Sequence, residues 1–381
     1  MTASTRELLA LAADDDVVMI GPNGGFVGRG ERARIDLPKG LADPDLAARV
    51  TDGLDGLGPD AVAVGAFPFD REAPTSLVVL RDVIRLGDRR APATAVPVTA
   101  DAEAGPDGFT LSPSIPHREW ERLVTDAVAA IEDGLFRKVV LARAVEVTAN
   151  RPIVVADVVR RLHELYPSCL TFSVDGFVGA SPELLVRRSG ARVAANPVAG
   201  TVARVGDAAA DAEAAAGLLG SAKDRAEHQL TVDSVALALR PFCASLDVPA
   251  SPEVFSLRNV SHLGTRIDGT LRSRGTELPS VLELVAALHP TAAVGGAPTE
   301  PALAWLGAHE RLHRGRYAGP VGWVDAAGDG EWCIGIRSAE IDGATAVLRA
   351  GCGIVAGSDP AAELVESQLK FQALLAALVR P

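Results

Sequence analysis

From residue 138 onward the chain reads as a succession of short apolar strands joined by tight glycine turns. This constrains the fold more than any other feature of the sequence. Lys138–Val147 is a β-branched, apolar run, and Leu170–Val174 is a second. Ser181–Ala195 has the pattern of a hairpin with Ser189-Gly190 at its tip. A two-residue turn there pairs Val186 with Val193 and Glu183 with Asn196. Strands return at Gly319–Val324, Glu331–Ile341 and Ala346–Ala350, joined by turns at Gly328–Gly330 and Asp342-Gly343. Helical periodicity is confined to 117–133, 153–165, about 224–239, 279–288 and about 360–378. Such an order lacks the strand–helix rhythm of a doubly wound parallel sheet. It predicts a mixed α/β (α+β) fold with largely antiparallel sheets.

The first 90 residues carry apolar runs such as Asp60–Phe67 and Thr75–Leu80, broken by Gly and Pro, and show little chemistry. Residues 91–116 are rich in Pro and Ala and read as a surface linker. Two regions are therefore expected: 1–110 as the N-terminal part of one integrated fold, and 111–381 carrying the ligand chemistry.

Of the 381 residues 48% are hydrophobic, enough for a sizeable core, and the net charge is −12 with Lys and Arg scattered. A partner nucleic acid would demand a concentrated basic surface, so none is expected. No window approaches the roughly 18 uninterrupted apolar residues of a membrane span. The N-terminus lacks the charged and apolar regions of a signal peptide. The four cysteines, Cys169, Cys243, Cys333 and Cys352, show neither CxxC spacing nor a Cys/His metal pattern. A cytoplasmic protein with reduced thiols is the expectation.

The last helix is the most informative segment. Glu363, Glu366 and Lys370 stand at i, i+3 and i+7, within about 60° of one another on the helix. Before it, Ala350-Gly-Cys-Gly-Ile-Val-Ala-Gly357 would let backbone N–H groups approach an anion closely, and Asp359-Pro360 suits an N-cap followed by the first helical position. A second helix carries Asp224 and Glu227, again at i, i+3. Two such helices facing each other could hold a hard divalent cation. Spacing alone leaves open the alternative of two solvated acidic faces.

Taken together, the motifs resemble the chorismate-utilising enzyme family, which includes isochorismate synthases, salicylate synthases and the large subunits of anthranilate and aminodeoxychorismate synthases. The matching stretches are Lys138-Val-Val-Leu-Ala-Arg143, Ser181-Pro-Glu-Leu-Leu185, Pro197-Val-Ala-Gly-Thr201, Lys223-Asp-Arg-Ala-Glu-His228, His262-Leu-Gly264, His289-Pro290 through Gly296, Tyr317-Ala-Gly-Pro-Val-Gly322, Ile336-Arg337, Ala350-Gly-Cys-Gly-Ile354 and Glu363–Lys370. They follow the family's order over roughly residues 118–378.

The resemblance implies two large antiparallel sheets, helices packed outside them and a deep central cleft. It implies Mg²⁺ on Glu227 and Glu366, with Asp224 and Glu363 as water-mediated or supporting partners, and the ring carboxylate of chorismate on the metal. Arg337 and Tyr317 would hold the enolpyruvyl carboxylate. Backbone groups at Gly200 and Gly351, with Lys370, would complete the anion cradle, and Thr201 and His262 belong to the same substrate-binding set.

Within the family, Lys138 stands where ammonia-using members usually carry Gln, so it resembles the members that add water. The implied reaction is attack of water at C2 of chorismate, with Lys138 as general base, and loss of the C4 hydroxyl, with protonated Glu183 as general acid. Lys138 would need burial or nearby positive charge to serve as a base. His289-Pro290 and Ala293 are similar to isochorismate synthases, whereas Val294-Gly295 departs from the more usual Leu-Ser. No glutamine amidotransferase subunit is expected, and a monomer is. Salicylate synthase is the nearest alternative, and a non-catalytic member that binds chorismate-like ligands is the alternative of a different class.

Overall fold

The computed structural model describes residues 5–86 and 105–379. Among the described residues, seventeen strands hydrogen-bond into one sheet, with every neighbouring pair antiparallel. Following the pairings from one edge, the order is Phe109–Pro113, Lys138–Ala149, Thr345–Val355, Ser338–Asp342, Phe177–Ser181, Leu170–Val174, Val17–Gly21 and Gly24–Leu37. It continues through Thr75–Arg85, Val62–Ala66, Pro320–Asp325, Gly330–Ile334, Leu184–Ser189, Arg192–Asn196, Ile267–Leu271 and Cys243–Asp247. The short strand Gly296–Ala297 lies beside Val139 and Lys138.

Strands of residues 17–85 thus join the two limbs of this ribbon, and the ribbon doubles back on itself. Phe172 and Phe177 of one limb share a buried cluster with Val62, Val64, Val321 and Cys333 of the other. The two large antiparallel sheets expected from the resemblance are these two limbs. The helices lie on the outer faces, where the apolar stripes of His117–Glu132, Val155–Leu165 and Pro360–Leu378 contribute to clusters on one limb. Val281–Leu288 and Ala222–Leu239 serve the other limb. A separate three-stranded sheet, Val198–Ala203, Val260–Gly264 and Glu253–Ser256, closes one side of the space between them.

Local chemistry explains the helix ends. Asp359 accepts a hydrogen bond from the Ala362 N–H at 2.8 Å with Pro360 next to it, and Ser221 caps Ala222–Leu239 by accepting from Asp224 N–H at 3.2 Å. Ser280 and Glu283 form a reciprocal capping box at the start of Val281–Leu288.

Three sequence expectations change. The hairpin turn is Gly190-Ala191 rather than Ser189-Gly190: Ser189 faces Arg192, and Val193 faces Arg188 instead of Val186. Gly190 takes the positive φ of 56° that the turn needs, and Asp329 accepts from its N–H at 2.9 Å. A bulge between Ala194 and Asn196 then brings Leu184, not Glu183, opposite Asn196. The expected strand Glu331–Ile341 is broken at Gly335–Arg337 into Gly330–Ile334 and Ser338–Asp342, with Arg337 at φ 52°. The linker reading of 91–116 falls outside the described residues up to 104, and its end contains the paired strand Phe109–Pro113. Helices Ala208–Gly220 and Thr299–His309, and the small sheet, went unpredicted.

Candidate active site

Strand alternation starts the site. Arg349, Gly351 and Gly353 are i, i+2 and i+4 on Thr345–Val355 and so present one face. That face, together with Val140 from the neighbouring strand, lines a cleft of about 700 Å³ including its mouth. The link between the two limbs contributes Pro182 and Glu183, and the small sheet contributes Val198 to Thr201 and His262. Loops bring Ala293, Val294, Tyr317, Ala318 and Arg337 to the same space. Glu227 reaches it from Ala222–Leu239, and Glu366 and Lys370 reach it from Pro360–Leu378.

The acidic helix faces are not solvated faces. Glu363 is 5% exposed, and each of three carboxylates already holds a lysine. Lys138 Nζ meets Glu227 at 3.1 Å, Lys370 Nζ meets Glu366 at 2.6 Å, and Lys223 Nζ meets Glu363 at 3.3 Å. Ligand atoms of Cys352, Glu363 and Glu366 lie within 4.8 Å of one another. Burial, and then the neighbouring charge of Glu366, push the Glu363 carboxyl up to about 7. Crowded carboxylates of this kind fit a hard divalent cation, which favours oxygen donors and would relieve their repulsion. Asp224 lies outside the cleft wall, its Cβ against the position a side chain at Gly200 would occupy. Glu363 also stands behind the wall.

At another part of the cleft, Arg337 sits fully enclosed. Its Nη2 donates to His262 Nε2 at 3.0 Å, while its Nη1 is buried without a hydrogen-bond partner. A guanidinium can only donate, so His262 Nε2 must accept and the imidazole proton resides on Nδ1. Nδ1 lies 3.0 Å from the Gly200 carbonyl and 3.1 Å from Thr201 Oγ1. Burial, with Arg337 and Lys370 adding to it, drives the His262 pKa well below its usual range, consistent with a neutral ring. An orphaned, buried guanidinium N–H is costly unless an anion completes it. Tyr317 lies close by, its hydroxyl 3.0 Å from where a Cβ on Gly351 would stand. Burial pushes its pKa up to about 12, so it stays a donor. Lys370 donates to the Gly351 carbonyl at 2.7 Å as well as to Glu366.

Glu183 follows Pro182 in the short link between two strands, and Ser181 and Ile334 pin that link. Ser181 Oγ donates to the Ile334 carbonyl at 2.6 Å, and Ile334 N–H donates to Glu183 O at 3.1 Å. The Glu183 side chain is enclosed, and burial raises its pKa to about 8 against the opposing pull of Lys138, the Val198 N–H and Lys370. It is therefore a carboxylic acid near neutral pH. Lys138 is 1% exposed, also donates to Thr231 Oγ1 at 3.1 Å, and lies just behind Gly353 rather than on the cleft wall itself. Burial is thus one of the two conditions expected of Lys138, and the charge beside it is the Glu227 carboxylate.

The cleft thus gathers Glu183, Gly200, Thr201, Glu227, His262, Ala293, Tyr317, Arg337, Gly351, Glu366 and Lys370 on its surface. Lys138, Asp224 and Glu363 sit behind it. Sequence reading missed Thr231, Arg349 and Gly353. Thr231 is one helical turn beyond Glu227, and the period of two on either side of Gly351 would have found the other two. Tyr317 and Arg337 owe their aim to irregular backbone: Ala318 and Arg337 hold positive φ values of 64° and 52°, a strain of about 1 kcal/mol or more each for non-glycine residues.

The family model for "Chorismate binding enzyme" matches residues 92–379. A Mycobacterium tuberculosis protein named putative isochorismate synthase MenF is 40% identical, over 98% of this chain and 99% of its own. Isochorismate synthase DhbC of Bacillus subtilis is 39% identical over 83% of this chain and 80% of its own. Among solved structures, the putative 2,3-dihydroxybenzoate-specific isochorismate synthase DhbC from Bacillus anthracis superposes with a TM-score of 0.88 at 33% identity, covering 98% of this chain and 99% of that one. With a matching model over most of its length and relatives of this similarity end to end, the chain belongs to the chorismate-binding enzyme family.

Proposed function

We propose that this protein is an isochorismate synthase, converting chorismate to isochorismate by adding water at C2 and expelling the C4 hydroxyl. The observation that carries this reading is that Glu183, kept protonated by burial on the cleft wall, has Lys138 within its electrostatic reach just behind Gly353. A reaction that removes one hydroxyl and installs another needs an acid and a base at once, on different atoms of the ring. With its amine neutral, Lys138 takes the proton of the attacking water and becomes the ammonium, and Glu183 gives its proton to the departing hydroxyl and becomes the carboxylate, so atoms and charge balance.

The remaining residues bind and orient. The free N–H of Arg337 and the Tyr317 hydroxyl offer donors to the enolpyruvyl carboxylate. Glu227 and Glu366, supported by Glu363 and Asp224, would hold Mg²⁺, which would neutralise the ring carboxylate. Lys138 and Lys370 are the charge partners of those two carboxylates. Water rather than ammonia is the nucleophile, so no glutamine amidotransferase subunit is required. We place the enzyme in the cytoplasm as a monomer; no described helix is long and apolar enough to cross a membrane. Menaquinone synthesis and siderophore synthesis are the two routes that would take up the product.

Incubation of purified protein with chorismate and Mg²⁺, followed by chromatography, tests the proposal. Isochorismate is expected. Salicylate as the first product would reassign the chain to the salicylate-forming members, and an absence of any turnover would reduce it to a binding protein.

A further inference from the structure

We infer that Arg349 is a second substrate-reading arginine, closing with Arg337 on the carboxylate remote from the acidic end of the cleft. This rests on the isochorismate synthase reading and adds to it a residue that sets substrate specificity.

Arg349, Gly351 and Gly353 form one row along the strand, spanning roughly 13 Å at about 3.3 Å per residue. At the Gly353 end, a Cβ would meet Glu227 at 2.1 Å and Lys138 at 2.9 Å, so this is the acidic end. At Gly351 the row passes Tyr317 and Lys370. The far end is Arg349 itself, and its register partner across the sheet is Ser338, the residue after Arg337. A dicarboxylate with one carboxylate at the Glu227 end therefore directs the other towards both arginines.

The state of the side chain supports this. Arg349 is only 10% exposed, and its Nη1 donates to Glu340 at 3.0 Å. Its Nε, sealed from solvent, has no hydrogen-bond partner, which is also the condition of Arg337 Nη1. Two buried guanidinium N–H groups thus stand unsatisfied on residues of the same cleft. Glu340 is shared with Arg316 at 3.4 Å, so it does not neutralise Arg349 alone; Arg316 has its other carboxylate in exposed Asp175 at 4.0 Å. A planar fork with an open N–H edge is suited to a carboxylate. A purely structural arginine would have no reason to leave that edge unpaired where water is excluded.

Steady-state kinetics of the full-length enzyme with Mg²⁺ test this. R349Q is expected to raise KM for chorismate by about tenfold or more with kcat changed little, because the contact is made equally in ground and transition states. R349K should recover only part of the loss, since it keeps the charge without the fork. The R349Q/R337Q pair should cost less than the product of the single effects, as expected for groups on one carboxylate. Inhibition by 3-hydroxybenzoate, which carries the ring carboxylate alone, should be unchanged in R349Q and so reports an intact cleft. An unchanged KM for chorismate in folded R349Q, or 3-hydroxybenzoate inhibition weakened to the same degree, would overturn the inference. If R349Q does not fold, R349K carries the same comparison. If the native enzyme forms no isochorismate, the parent reading fails, and chorismate titrated calorimetrically against native and R349K protein still decides whether Arg349 reads the second carboxylate.

Discussion

The ammonium of Lys138 and the carboxylate of Glu227 meet at 3.1 Å, one from the first residue of a strand and the other from the middle of a helix. The base proposed for water and a ligand proposed for the metal are therefore partners. A cation held by Glu227 would compete with Lys138 for that carboxylate, so the two roles are coupled. Lys138→Ala should lower kcat by about 10²–10⁴-fold, the span of general base catalysis. Calorimetric Mg²⁺ affinity in the same variant should hold or rise, because a competitor for Glu227 is gone. Near-native turnover in Lys138→Ala would remove the lysine from the mechanism.

Glu183 sets a pH limit. Its pKa is pushed up to about 8 by burial, so as an acid it is competent below that value and is lost above it. The kcat profile should therefore fall on the alkaline side, near pH 8. Glu183→Gln should be strongly impaired and should lack that limb. Stability follows from the same shift. The folded-state pKa lies above the ordinary 4.5, so between about 4.5 and 8 the unfolded chain has released a proton that the folded chain retains. Stability contributed by this residue falls as pH rises through that window. Denaturant midpoints for native and Glu183→Gln protein should diverge across it, and parallel curves would contradict the protonated assignment.

The carboxylates predict a graded response to metal. Glu227→Gln and Glu366→Gln remove groups on the cleft wall and should each weaken Mg²⁺ binding severely, with turnover restored only in part by excess metal. Glu363→Gln stands behind the wall and should cost less, about 10–100-fold in affinity, as supporting groups around metal ligands do. Chelation by EDTA should stop product formation and Mg²⁺ should restore it. Equal effects at 363 and 366 would show that the cation sits deeper, towards Cys352.

Much of this architecture was legible from residue order because period-two runs and glycine turns report strands directly. Local pairing was less legible. The Gly190-Ala191 turn and the bulge after Ala194 displace the hairpin register, and neither leaves a distinct mark in composition. The ionisable residues could be found through the family resemblance, since charge chemistry is tied to residue type. Arg349 and Gly353 escaped because their importance is directional: each matters through the face it shares with Gly351. Arg337 depended on a strand break at Gly335–Arg337 that an apolar run such as Cys333-Ile334-Gly-Ile336 disguises.

Gly353 turns that directional argument into a sharp expectation. A methyl group there would lie 2.1 Å from a Glu227 carboxylate oxygen and 2.9 Å from Lys138 Cε. Both are far inside contact distance, yet both belong to side chains that can move, and the backbone of Gly353 is not in the left-handed region. Gly353→Ala should consequently fold, at a cost of about 1–3 kcal/mol for an overpacked interior site. What it displaces is the Lys138–Glu227 pair. A shift of about 1 Å in groups that position reactants commonly costs about 10²-fold in rate, so turnover should drop by that order while the thermal transition falls only modestly. Gly357→Ala, in the turn that follows the strand, is the control: its φ of 78° strains an alanine, but no atom lies within 4 Å of the added methyl. It should lose stability with little loss of turnover per folded molecule. If Gly353→Ala instead kept full activity, Glu227 and Lys138 could not both need the positions they hold, and the acid–base assignment would fail with them.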